Sequence, residues 1–353
     1  MYYSIGEERY LELVEELKLV EDKSISVVLY SPNYHYKLAI KANNLAHHIK
    51  QDYWENVSIW SCKVEDVDFA ISHLRKARRF SAILYIIHKK EIISILPDAT
   101  KINILSEAIL YPEQLHNSNN RHYIGDILIS IAQPNDDDLL AKLLQIEFIL
   151  HDLLSGFMDI RKLHIYSALN RDSSLMIQLI QIANVTADEE FATEDEKRKR
   201  VAMAEFAWRF LYNYKSVPCT DDDGTINYDD LIVYLQNVRE ACKSMVLSEH
   251  TIGKIIGNIP EDDNYPTQEI CHLVESLNDD NIDTEIRCEL FNKRGSFCVS
   301  PFSGGARERE LIKLFETYRK RALPYSPRMV KIFTTLIKGY ERDAEEKIII
   351  QNY

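Results

Sequence analysis

Residues 218–231, PCTDDDGTINYDDL, hold the densest group of side chains able to do chemistry. Alternating aspartates, a glycine at the turn and carboxylates opening the next segment resemble a loop that surrounds a hard cation with oxygen. Placing Gly224 sixth in an EF-hand loop puts Cys219 first, Asp221 third, Asp223 fifth and Asp230 twelfth. A thiol is a poor calcium ligand, and Asp230 is shorter than the bidentate Glu that closes such loops. Asp221, Asp223 and Asp230 are the calcium candidates. The reading preferred here is an acidic turn at Asp223 and Gly224 that caps a helix near Asn227 or Tyr228, with no metal bound.

A second stretch, SPFSGGARERE over 300–310, places Gly304 and Gly305 ahead of a helical pattern. Backbone N–H groups there, with Arg307, could hold a phosphate, which makes these three residues cofactor-binding candidates. The stretch has neither the GxxxxGK[ST] lysine nor a GxGxxG spacing after a strand, so a structural linker is the simpler reading and no cofactor is expected. His47 and His48 are adjacent and diverge on a helix, and no HExxH occurs.

These residues need elements to position them. The runs SISVVLYSP (24–32), NVSIWSC (56–62), FSAILYIIHK (80–89) and TKINIL (100–105) are short, apolar and β-branched, and helical patterns separate them. Such alternation predicts a small parallel-sheet α/β domain over 1–108, opened by the amphipathic helix IGEERYLELVEELKLV. From residue 109 the apolar spacing turns to three and four, predicting a helical array over 109–200 and a helical C-terminal domain over 201–353. The expected fold class is thus α/β plus all-α. Segment 186–200, TADEEFATEDEKRKR, reads as an exposed helix start or a linker.

Composition limits the function. The 353-residue chain has a formal net charge of −13, which disfavours a general nucleic-acid binder. Its 6 cysteines form no CxxC pair, no apolar run approaches 18 residues, and no secretory segment is evident, so a cytoplasmic protein without a membrane span is expected.

Two resemblances follow. NKRGSFCVSPFSGGARERELIKLFETYRKRALPYSPRMVKIFTTLIKGYERDAEE, with VPCTDDDGTINYDDLIVYL and TIGKIIGNIP upstream, is similar to a helical C-terminal module of uncharacterised bacterial proteins; it covers about residues 205–345. That resemblance implies a bacterial source and carries over no functional residue. The N-terminal order of strands and helices looks like the TIR, flavodoxin or response-regulator type of sheet, which binds ligands at strand ends. There it would place Ser31, Asn33, Tyr34, Cys62, Glu65, His88 and Glu91; Ser31, Asn33 and His88 are its cofactor-binding candidates, and Glu91 would be the catalytic candidate of a TIR-type NAD hydrolase. The expected function is a non-catalytic protein interaction or regulatory role, with a protein partner or self-association through the helical region. The alternative is a nucleotide- or NAD-directed TIR-like enzyme in a defence or stress setting.

Overall fold

A computed structural model describes residues 33–185, 193–243, 245–295 and 305–351, with Arg9, Tyr10, Glu12 and Phe191, and side chains as far as Glu346. The described residues contain 17 α-helices and no strand, which overturns the expected parallel-sheet domain. The chain divides into two units, residues 1–164 and 165–353.

The first unit contains α1 (Tyr36–Asn43), α2 (His47–Asn56), α3 (Val67–Lys76), α4 (Phe80–Ile87), α5 (Lys90–Ile93), α6 (Asp98–Ala108), α7 (Ser118–Ile129) and α8 (Asp137–Leu154). Three runs expected as strands fall here, whereas SISVVLYSP lies outside the described residues. FSAILYII forms α4, with Phe80, Ala82, Ile83, Leu84, Ile86 and Ile87 all buried. A helix buried on nearly every side has no polar face, so its apolar run cannot be told from that of a buried strand. TKINIL is the middle of α6, where buried Ile102 and Leu105 are three apart and Lys101 Nζ reaches Asp98 Oδ1 at 2.9 Å. Most of NVSIWSC is the connection from α2 to α3; Val57, Ile59 and Cys62 are buried while Trp60 is 65% exposed. Its alternation is real, but Tyr34 N bonds Ser58 O and Ser61 Oγ bonds Tyr34 O without a strand ladder forming. Near the end of this unit, Glu147 is fully buried and its Oε1 lies 2.9 Å from His164 Nδ1; this bond raises the imidazole pKa against the opposing effect of burial.

The second unit begins within the helix α9 (His164–Arg171) and continues through α10 (Ser173–Ala183), α11 (Glu194–Asn213), α12 (Tyr228–Ala241), α13 (Val246–Gly257), α14 (Gln268–Leu277), α15 (Asp280–Asn292), α16 (Ala306–Ala322) and α17 (Pro327–Gln351). Polar residues set the joints: Asp172, Thr193, Asn227, Thr267 and Asp279 each accept a backbone N–H at a helix start. At Thr193 the bond is reciprocal with Glu196, a capping box that fixes where α11 starts within the charged segment. The paired α16 and α17 enclose Phe315, Tyr318, Phe333 and Tyr340.

Close packing of α13 on α15 depends on two glycines one turn apart. A Cβ at Gly253 would sit 2.9 Å from Ile282 O and overlap Glu285 Cβ; one at Gly257 would sit 2.6 Å from Glu289 Cβ. Both neighbours lie on helix backbone or at its root and cannot swing away. Gly253→Ala gains helix propensity of about 1 kcal/mol but incurs an overpacking cost of about 2–3 kcal/mol, at the upper end of the usual range because the neighbours are backbone and Cβ atoms, so a net loss of stability of about 1–2 kcal/mol is expected. Urea unfolding checks this; a more stable variant would mean that the two helices are not so closely apposed.

Candidate functional site

Two concave regions, one in each unit, bring together polar and charged side chains of different character. In the second unit, a cleft of about 840 Å³ brings Asp221, Asp223 and Asp230 together with Asp172, Asp222, Arg171 and Cys219. The turn is shaped by its own hydrogen bonds. Asn170 behaves like a strand neighbour: its Nδ2 donates to Thr220 O at 2.6 Å and its Oδ1 accepts from Thr220 N at 2.9 Å. Thr220 bridges to Ile226, Asp221 N donates to Thr225 O, and Cys219 and Gly224 take positive φ of 57° and 88°. Asn227 is the N-cap of α12, accepting from Asp230 N.

The carboxylates are used within this network. Asp223 Oδ1 accepts Thr225 N at 2.9 Å, and Asp230 Oδ2 accepts Asn227 Nδ2 at 2.7 Å. Among the described residues no three Asp, Glu, His or Cys side chains converge as a metal site. Burial, reinforced by Asp230, pushes the Cys219 thiol up to about 11, which leaves it protonated and a poor nucleophile at neutral pH.

The second concavity lies in the first unit and has a different character. About 480 Å³ in volume, it is lined by Trp60, Tyr85 and Tyr123 together with Arg79, Ser81, Gln114, Asn117 and Asn120, and no carboxylate lines it. It sits where α4 and α7 start. Asn120 Nδ2 donates to Ser81 Oγ at 2.8 Å and to Gln114 O at 2.5 Å, while Gln114 Oε1 accepts Ser81 N and its Nε2 donates to Arg78 O. One turn further along each helix, the Tyr85 and Tyr123 rings stand 5.9 Å apart. The two contacts pair early residue with early residue and late with late, so α4 and α7 run side by side in the same direction. Trp60 packs edge-on to Tyr85 at 4.5 Å, and Lys89 Nζ holds the Trp60 loop by donating to Trp60 O and Cys62 O.

The other sequence candidates scatter. His88 stacks on Tyr123 at 3.9 Å, beside this cleft and not at a strand end. Glu91 is exposed on the short α5. Cys62 is buried with its thiol pushed up to about 11 by burial, and Glu65 is exposed. Asn33 lies ahead of α1; Ser31 and Gly304 lie outside the described residues. Gly305 is buried at the start of α16 with φ 75°, where a Cβ would come within 3.0 Å of Ala344 Cα, and Arg307 is in the first turn of that helix. Sequence reading missed Trp60, Arg79, Tyr85, Gln114, Asn120 and Tyr123. The run NSNN at 117–120 ahead of an apolar stretch was the available signal of a capped helix start.

Comparison with family models, with curated proteins and with solved structures gives no match. Among the described residues no helix is long and apolar enough to cross a membrane.

Because Asp223 and Asp230 are already bonded within the turn, calcium up to 1 mM should leave the thermal midpoint unchanged. A clear calcium-dependent rise in a melting experiment would mean that the turn holds an ion after all.

Proposed function

We propose that this chain is a non-catalytic protein-interaction protein that docks a helix on the outward face of α11, and that the partner is a second copy of itself. What supports the reading is the two-sided composition of that helix. Ala204, Ala207, Phe210 and Leu211 face inward, while Val201, Met203, Trp208 and Tyr212 are 38%, 40%, 49% and 56% exposed. Exposed apolar residues are ordinary singly; Val201, Trp208 and Tyr212, seven and four residues apart, share the outward side of this helix, while Met203 lies on the opposite side.

Trp208 and Tyr212 are stacked at 5.2 Å and 14°, a rigid aromatic pair of the type that dominates interface energetics. Lys254 supports it from below: its Nζ donates to Leu211 O and Tyr212 O at the end of α11 and lies 5.0 Å from the Tyr212 ring. A groove of about 520 Å³ runs beside the pair, with Ala183, Val185, Val201 and Ala204 among its walls and Glu205 and Arg209 at its edge.

Glu205 and Arg209 argue for self-docking. If two copies of α11 cross antiparallel at the level of Ala207, each Glu205 meets Arg209 of the other copy, so one helix supplies both halves of a self-complementary charge pattern, as a two-fold interface requires. The enzymatic alternative depended on strand ends, and the described residues have none.

Sedimentation velocity across about 1–100 µM tests this. Wild type should move toward dimer with concentration, and Trp208→Glu should weaken association at least tenfold while, as a surface change, altering stability by only about 0.5 kcal/mol. A wild type that stays monomeric throughout, or a variant that dimerises equally well, would overturn the reading.

A further inference from the structure

We propose that the cleft between the first turns of α4 and α7 is a binding site for a nucleoside monophosphate, with its phosphate held at Arg79 and the helix starts and its base against Trp60 and Tyr85. The site is built in the first unit and owes nothing to the α11 face.

The anionic end follows from a charge without a counter-charge. Arg79 donates Nη1 to Trp54 O at 3.0 Å and to Val57 O at 2.8 Å, which fixes the guanidinium beside the end of α2. Among the described residues no carboxylate pairs with it and Nε and Nη2 take no acceptor, although burial is heavy enough to lower its pKa. A partly buried guanidinium lacking an acid leaves its free nitrogens open to the cleft, where a bound phosphate would take charge-assisted bonds from them. The parallel pairing of α4 and α7 adds to this, because both helices bring their positive ends to the same side of the cleft.

Asn120 supplies an independent sign of a ligand. It is 2% exposed and lines the cleft; both its amide hydrogens are used, on Ser81 and Gln114, but among the described residues nothing donates to its Oδ1. That oxygen is not sealed from solvent, so a hydroxyl or amine from outside the chain, such as a ribose hydroxyl or an exocyclic base amine, can reach it from the cleft.

The aromatic end sits one helical turn beyond the polar one on both helices. Ser81 to Tyr85 and Asn119 to Tyr123 are each four residues apart, about 6 Å along an α-helix, comparable to the reach from a 5′-phosphate to the base it carries. Trp60, 65% exposed and edge-on to Tyr85, presents a face on which a planar ring can stack. Neutral sugars are a poorer fit, since no carboxylate lines the cleft to accept their hydroxyls and an unpaired Arg79 would stay unpaired. The volume of about 480 Å³ accommodates one nucleotide.

The test uses the full chain and calorimetric titration with AMP, CMP, GMP and UMP, with the four matching nucleosides and inorganic phosphate as the separate halves of each ligand. At least one monophosphate should bind with Kd below about 1 mM, and at least tenfold more tightly than either half alone. Trp60→Ala, on an exposed side chain, should weaken it at least fivefold without changing the melting temperature, and binding should quench tryptophan fluorescence in wild type but not to the same extent in the variant. Arg79→Lys, which keeps the charge but loses the fork, should bring the affinity of the tightest monophosphate down to that of its own nucleoside. Failure of all four monophosphates to bind, equal affinity for the tightest monophosphate and its own nucleoside, or unchanged affinity in Trp60→Ala would each overturn the proposal.

Discussion

The first unit depends on one buried carboxamide. Asn120 sits where two helices start, and helix starts are where backbone N–H groups lack partners. By donating to Ser81 Oγ and Gln114 O while Gln114 accepts Ser81 N, it joins the opening turns of α4 and α7 through side chains. Everything around the cleft follows from that join. The helices must run in the same direction, Tyr85 and Tyr123 must meet one turn on, and Trp60 finds an aromatic edge to pack against. Among the described residues nothing donates to Asn120 Oδ1, and Asn120 lines the same cleft as Arg79.

How much of this was legible in the sequence depends on the segment. The helical character from residue 109 onward could be read because those helices have a wet face, and the three-to-four spacing of apolar residues survives on it. The segments 80–89 and 100–105 could not be read in the same way. In α4, Phe80, Ile83, Leu84, Ile86 and Ile87 are all buried, so the run has no polar period to betray it, and its β-branched residues suggest a strand. Propensity gave way to burial against neighbouring helices, as it commonly does. Among the described residues helix stands where strand was expected, so Asn33, His88 and Glu91 lie at no strand end. His88 still borders a cleft, but it does so as a stacking partner of Tyr123.

The acidic turn is the opposite case. The preference for a helix-capping turn over a calcium loop rested on Cys219 and Asp230, and Asn227, one of the two cap positions considered, is the N-cap of α12. What spacing could not reveal was Asn170, fifty residues away, whose carboxamide pairs with both backbone groups of Thr220 and so gives the turn its shape. Asn170 and Asn120 play the same part in the two units: a side-chain amide stands in for a missing backbone neighbour, at a place that only the folded chain brings together.

Amide hydrogen exchange at Ser81 and Asn120, followed residue by residue by NMR, tests the central claim most directly. Both N–H groups lie in the first turn of a helix, where exchange is ordinarily fast because no carbonyl accepts them. If Gln114 Oε1 and Asn117 Oδ1 hold them as described, both should be protected nearly as well as the interior amides of α4 and α7. Exchange of Ser81 at the rate of an open helix end would contradict the join, and with it the parallel arrangement on which the cleft depends, whereas Asn120 N–H reports on the Asn117 cap of its own helix.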